Sequence, residues 1–164
     1  MNKTLLNLLS KAYATEFAKN CHPEKETAVY TFENKHGIKL PATYRQLLIE
    51  FGALNFGGDP YLYTLKELEW AYPKFVRDYK EYQEGYDNIP NDLDPFPIGG
   101  FGEGSTAILD QRSGKIFILI HDCAEDPPLE DIAENFEALL EMLAKAAISC
   151  SACIAFNPDD FAAS

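Results

Sequence analysis

Positive charge is what the second half of this sequence has least of. Residues 81–164 hold 3 basic side chains against 17 acidic, a balance of −14, whereas residues 1–80 hold 11 basic and 9 acidic, a balance of +2. A phosphate backbone requires a basic face, so a chain of net charge −12 is not expected to bind nucleic acid directly. Long apolar runs are missing too, which excludes a membrane-spanning helix. There are only 4 cysteines, and Cys150-Ser151-Ala152-Cys153 has no second pair at zinc spacing. Cys21 and Cys123 stand isolated. A thioredoxin-like C-x-x-C follows a strand and opens a helix, but this one reads as part of a tail, 148–164. Ordinary reduced thiols are expected, with no metal and no cofactor.

What is present is enough apolar material for one core. At 164 residues, 46% hydrophobic and 13% aromatic, the chain suits a single domain, 1–164, that buries roughly 70% of its unfolded surface without disulfides or metal. Leu6, Leu9, Tyr13 and Phe17 form one helical stripe within residues 1–20. Asn7 and Lys11 break the apolar run too early for a signal peptide, so a cytoplasmic protein is expected. A second helix is expected from Pro23, with Glu24 and Glu26 in its first turn and Gly37 as its stop. Pro41 opens a third, in which Tyr44, Leu47, Leu48 and Phe51 follow i, i+3, i+4, i+7 and Gly52 ends the run.

Two short strands are predicted over 53–56 and 61–63, with a turn between them. Thr64-Leu65-Lys66-Glu67 is a capping box heading a fourth helix with Leu65, Leu68, Tyr72, Val76 and Tyr79 buried, interrupted or kinked at Pro73. Residues 81–97 read as a loop. Strands follow at 96–98, 106–109 and 116–120, the last two joined by a loop over Asp110–Gly114. A closing helix is predicted over 129–147, burying Ile132, Phe136, Leu139, Leu140 and Leu143. The order implies an α+β fold, a mainly antiparallel sheet of about five to six strands packed with N-terminal and C-terminal helices.

Signs of catalysis are weak. Gly99-Gly100-Phe101-Gly102-Glu103-Gly104 superficially matches a phosphate loop, but Glu103 lies inside it and a strand, not a helix, follows. It reads as a tight turn between strands. His121 and Cys123 sit at i, i+2 near a strand end, poorly oriented for proton transfer and without a third orienting group. Carboxylate pairs are too abundant to be informative. No catalytic residue is assigned and no enzymatic activity is expected.

The acidic cluster is more distinctive. Asp122, Glu125, Asp126, Glu130, Asp131, Glu134, Glu137 and Glu141 occur with no Lys or Arg between Ile116 and Ala144. On a helix, Glu130, Glu134, Glu137 and Glu141 would give one unrelieved negative face, an arrangement that costs a few tenths of a kcal/mol per i,i+4 pair. Glu84, Asp87, Asp92 and Asp94, beside Tyr82 and Tyr86, extend the same candidate surface, with Glu103 nearby. Such a surface steers and selects a cationic partner, while Tyr82, Tyr86 and Phe101 would supply desolvated contact area.

The segment order resembles the SUKH superfamily, which includes cell-wall assembly regulators and bacterial immunity proteins. The resemblance covers about 27–143. It rests on Phe32-Glu33-Asn34-Lys35-His36-Gly37-Ile38-Lys39-Leu40-Pro41-Ala42-Thr43-Tyr44 with Leu47-Leu48, on Phe96-Pro97-Ile98-Gly99, on Ala107-Ile108-Leu109-Asp110 with Gly114-Lys115-Ile116 and His121-Asp122, and on Ile132–Leu140. Two places depart from the family pattern: its Asn-Gly after the third helix is displaced, and its Gly-Asp reads Gly104-Ser105. The resemblance implies a SUKH-like fold and a bacterial, intracellular immunity protein. Its partner would be a cognate cationic toxin, with nucleases among the classes implied. It also implies an alternative, a regulatory scaffold of the cell-wall type that binds cellular proteins.

Overall fold

The computed structural model describes residues 1–15, 18, 21–54, 61–85, 89–102, 104–120 and 129–154. Among these residues, five helices and five strands follow in the order α1 (Lys3–Tyr13), α2 (Glu26–His36), α3 (Ala42–Glu50), β1 (Tyr61–Leu62), α4 (Leu65–Gly85), β2 (Pro95–Phe101), β3 (Ser105–Asp110), β4 (Ile116–Leu119), β5 (Leu129–Ala133) and α5 (Phe136–Ile154). The strands form one antiparallel sheet in the order β1-β2-β3-β4-β5. This is an α+β fold with the sheet in the middle of the chain, as the pattern of segments implied.

The motif between α2 and α3 is a structural pin. Gly37 ends α2 at φ 65°, where glycine carries no Cβ penalty, and the Ile38 amide reaches back to the Glu33 carbonyl at 3.0 Å. Glu33 is buried, and its carboxylate accepts the Leu40 amide at 2.9 Å, which holds the connection against the helix that precedes it. Tyr44, fully buried in α3, donates its hydroxyl to the Tyr63 carbonyl at 2.6 Å and stands edge-on to Phe136. One tyrosine thereby ties α3 to the end of β1 and to α5.

Two apolar clusters sandwich the sheet. The larger joins α1, α2, α3, α5 and the first half of α4 to the face bearing Phe96, Ile98, Ala107, Leu109 and Ile116. The smaller lies on the other face, where Ile108 and Leu119 meet Phe75 and Tyr79 of α4 and Ile89. α4 serves both, with Leu65, Leu68 and Ala71 in the first cluster and Phe75 and Tyr79 in the second. That double anchorage explains why its 21 residues run through Pro73 without interruption, despite the roughly 3 kcal/mol an interior proline costs. The helix begins as the capping box requires: the Thr64 amide donates to the Glu67 carboxylate at 2.7 Å and the Glu67 amide to the Thr64 hydroxyl at 3.2 Å.

Several expectations are corrected. α1 buries Leu5, Leu9 and Ala12, with Leu6 only half-buried, and Phe17 lies outside the described residues. α2 starts at Glu26 with Lys25 as its cap, not at Pro23. Ala53 and Leu54 are not strand, although the Leu54 carbonyl accepts the Leu62 amide at 2.8 Å. In α4 the buried residue is Phe75, and Val76 is exposed. The expected loop over 81–97 is helix to Gly85 and strand from Pro95. The largest correction concerns the closing helix. Residues 129–133 are the edge strand β5, and α5 starts only at Phe136, where the Asn135 side chain accepts the Ala138 amide at 2.9 Å and caps the helix. α5 then continues to Ile154, so Cys150 and Cys153 lie within a helix rather than a tail.

Candidate binding cleft

The site begins with a glycine pair. Gly99 and Gly100 are not a turn between strands; both lie inside β2, opposite Leu62 and Tyr61 of β1. A Cβ on Gly100 would come within 2.5 Å of the Tyr61 ring, so the missing side chain is what lets that ring lie across the strand. From there the aromatic surface continues. The Tyr61 and Tyr63 rings stand edge-on at 5.7 Å between centroids, and Tyr63 and Trp70 at 6.0 Å, the T-shaped arrangement that ring quadrupoles favour.

α4 forms the opposite wall. Trp70, Lys74, Asp78, Glu81 and Tyr82 recur at three- and four-residue steps and all line a cleft of about 610 Å³ between α4 and the sheet. Phe101, Gly102 and Gly104 close one end, and Ser105 and Thr106 contribute hydroxyls. Trp70 is 55% exposed, which is unusual for the largest apolar side chain in a folded protein.

The electrostatics of the wall are uneven. Asp78 accepts from Lys74 at 2.7 Å and from Arg77 at 2.9 Å, one cation on each carboxylate oxygen. Burial works to raise the Asp78 carboxyl, but these two hydrogen bonds outweigh it and hold the group below the usual aspartate value. Lys74 is therefore occupied within the wall. Glu81, one turn further along, has no ion pair among the described residues. Burial pushes the Tyr63 hydroxyl up to about 12, with Tyr61 and Glu67 adding to the effect, so that phenol stays neutral.

Of the residues singled out from sequence, Tyr82 and Phe101 meet in this cleft. The described acidic residues stand on separate elements. Glu130 is exposed on β5 and Glu134 in the turn after it. Asp92 and Asp94 are exposed just before β2, at the end of the sheet where β5 finishes. Glu137 is half-buried in the first turn of α5, hydrogen-bonded by Asn2 at 3.3 Å and paired with the Met1 ammonium group at 3.4 Å. Glu141 pairs with Lys145, and Asp131 with Lys115. The run Glu130–Glu141 is thus not one helix face, and part of its charge is already compensated. Tyr86, Asp87, Glu103, His121, Asp122, Cys123, Glu125 and Asp126 lie outside the described residues.

Sequence reasoning missed Tyr61, Tyr63, Trp70 and Glu81. A signal was there for Trp70: it falls off the apolar stripe of α4, so a large aromatic ring had to face outwards. Among the described residues no group of three or more His, Cys, Asp or Glu could hold a metal ion, and no helix is long and apolar enough to cross a membrane.

No curated protein matches the chain. A family model does. SUKH_6, SMI1-KNR4 cell-wall, matches residues 26–140, a span that contains the α2–α3 pin, the glycine pair and every residue lining the cleft. With more than half of its length matched, this chain belongs to the SMI1-KNR4 cell-wall family of the SUKH superfamily.

Proposed function

We propose that this protein is a non-catalytic, intracellular immunity protein that binds and neutralises a cationic protein toxin, of the nuclease type. The observation that carries the reading is the cleft of about 610 Å³, in which aromatic rings from β1, β2 and α4 stand open. An exposed Trp with half-buried Tyr beside it in a concave pocket is the kind of group that dominates binding energy between proteins. The charge distribution supports a basic partner. Glu81, Asp92, Asp94, Glu130 and Glu134 carry no ion pair among the described residues, and the chain as a whole is at −12. A nuclease presents Lys and Arg to hold phosphate, so the same residues are available to an acidic inhibitor, with fast association as a consequence. The cell-wall description of the matching family model favours a second reading, a scaffold that uses the same cleft on other cellular proteins.

The test is a titration against the toxin domain encoded by the neighbouring open reading frame, at low and at physiological salt. Submicromolar binding that weakens with salt and with Glu130→Lys and Glu134→Lys is the expected result. No binding, or affinity indifferent to both salt and charge reversal, would overturn the reading.

A further inference from the structure

The cleft between α4 and the sheet offers an occupant surface but no backbone to pair with. Its strand floor is closed on both sides: Gly100 pairs with Tyr61 in β1 and with Thr106 in β3, and Thr106 pairs in turn with Leu119 in β4. The other wall is helix, whose backbone bonds within itself. An added β-strand needs a free sheet edge and finds none in this lining among the described residues. Charge selects as little as the backbone does. The described charges at the cleft are Lys74, Asp78 and Glu81 in its lining and Arg77, which shares the Asp78 carboxylate with Lys74. The signs are evenly divided, so the wall favours neither a cation nor an anion.

Dimensions narrow the occupant further. Trp70 and Tyr82, at the two ends of the α4 wall, are twelve residues apart and so about 18 Å along the helix axis. A volume of about 610 Å³ drawn out over that length is a channel roughly 6 Å across, about half the diameter of an α-helix with its side chains. One extended chain fits it, whereas a helix could lay only one ridge of side chains into it. The aromatic lining is itself ridged: the rings of Tyr61 and Tyr63 stand at 77° to each other, and those of Tyr63 and Trp70 at 63°. A polyproline II helix meets each of these features. It is narrow, keeps its backbone groups in water without pairing them, and at ~3.1 Å per residue covers that length with about six residues. Prolyl rings are uncharged, bring no amide donor and dock into aromatic-lined grooves at little cost in chain entropy.

We infer that the cleft receives a proline-rich segment of the partner protein, about six residues in the polyproline II conformation, its prolyl rings seated among Tyr61, Trp70, Tyr82 and Phe101. This rests on the reading of the cleft as a protein-binding site and specifies the kind of segment it takes. Recognition then has two separable parts: surface acids that steer a basic partner, and a groove of balanced charge that reads backbone conformation.

Trp70 is the sole tryptophan of the chain, so tryptophan emission reports on this wall. Blocked triproline, hexaproline and nonaproline are titrated into the full chain, beside a blocked glycine–alanine hexapeptide, a blocked glycine–arginine–glycine peptide and a glucose oligosaccharide. Saturable change with hexaproline is expected, on the order of tenfold tighter than with triproline or the glycine–alanine peptide, and within a few fold of nonaproline. Added salt and Glu81→Gln are expected to leave hexaproline affinity within about twofold. Trp70→Ala, at an exposed position and read by calorimetry, is expected to weaken it on the order of tenfold. No saturable response to hexaproline, an equal response to the glycine–alanine peptide, or a stronger one to the arginine peptide or the oligosaccharide would overturn the inference. The toxin titration separates the two claims. Toxin binding that ignores both saturating hexaproline and Trp70→Ala removes the proline groove and leaves the proposed function standing. Hexaproline binding without toxin binding does the reverse.

Discussion

Gly99→Ala and Gly100→Ala add the same methyl group to adjacent positions of β2, yet they should differ sharply. At Gly99 the new Cβ would run into the Tyr61 backbone carbonyl, with the Leu62 Cα only 3.2 Å away. Nothing there is a flexible side-chain end. β1 must move away from β2, and the Tyr63 amide bond to the Ile98 carbonyl, 2.9 Å in the native fold, must stretch. Overpacking of this kind costs about 3 kcal/mol, partly offset by the roughly 0.5–1 kcal/mol alanine contributes by restricting the unfolded chain. The net loss of about 2 kcal/mol corresponds to a fall in Tm on the order of 4–8 °C at this chain length. At Gly100 the methyl meets the Tyr61 ring at 2.5–2.6 Å, and a ring can swing aside. Gly100→Ala should therefore change stability by less than about 1 kcal/mol while altering the Tyr61–Tyr63–Trp70 stack, read as a shift in Trp70 emission. Urea unfolding followed by far-UV circular dichroism measures the first effect, and native-state fluorescence the second. Equal midpoints for Gly99→Ala and the parent would refute the close approach of β1 to β2 on which the cleft depends.

Three further substitutions probe the frame. Tyr44→Phe strands the buried Tyr63 carbonyl and should lower unfolding free energy by about 1–3 kcal/mol, and an unchanged urea midpoint would contradict the 2.6 Å hydrogen bond. Pro73→Ala restores a helix donor in α4 and should raise stability by about 1–2 kcal/mol, visible as a higher Tm; a lower one would mean the proline shapes the helix rather than merely being tolerated by it. Asp110 accepts the Asp94, Arg112 and Ser113 amides at 2.9, 3.3 and 3.0 Å; burial acts to raise its carboxyl, but the Ser113 hydroxyl and these amides prevail and hold it below the ordinary value. A group lowered in the folded state stabilises fully above its unfolded pKa of about 3.9 and loses that contribution as pH falls through the folded value. Stability should thus decline more steeply below about pH 4 in the parent than in Asp110→Asn, and parallel acid titration curves for the two would count against the buried network.

Local chemistry was legible where a few adjacent residues decide the outcome. The capping box at Thr64 and Glu67, the αL stop at Gly37 and the hairpin around Asp110–Gly114 need no distant partner, and each stands where the residue types put it. Legibility ended where tertiary pairing decides. Glu130, Glu134, Glu137 and Glu141 have helical spacing, yet β4 captures 129–133 as its neighbour, and the Asn135 cap marks the true start of α5. Past Pro73 the apolar stripe offers Val76 as readily as Phe75, and only the second face of the sheet, lined by Ile108 and Leu119, selects the aromatic ring. Gly99-Gly100 resembled a turn because glycine permits one; that they are instead room made for Tyr61 depends on a strand some forty residues earlier.

The same long-range pairing relocates the functional argument from charge to shape. Charges at Asp92, Asp94, Glu130 and Glu134 act on an approaching partner over about 8 Å at physiological ionic strength, which suffices to raise an encounter rate without the groups sharing one patch. Exposed ion pairs contribute less than about 1 kcal/mol each, so steering of this kind sets association speed and leaves residence time to contacts that exclude water. In the proposed function the cleft supplies those contacts, because its rings are held by elements of the core. Tyr63 is fixed through Tyr44, Trp70 rides on a helix anchored in both clusters, and Tyr61 rests on a glycine. Charge reversals far from the cleft should accordingly slow association and leave dissociation nearly unchanged, whereas Trp70→Ala and Tyr82→Ala should accelerate dissociation at an unaltered on-rate. Stopped-flow mixing with the basic partner resolves the two, and if both kinds of variant act on the same rate constant, steering and capture are not separate in this fold.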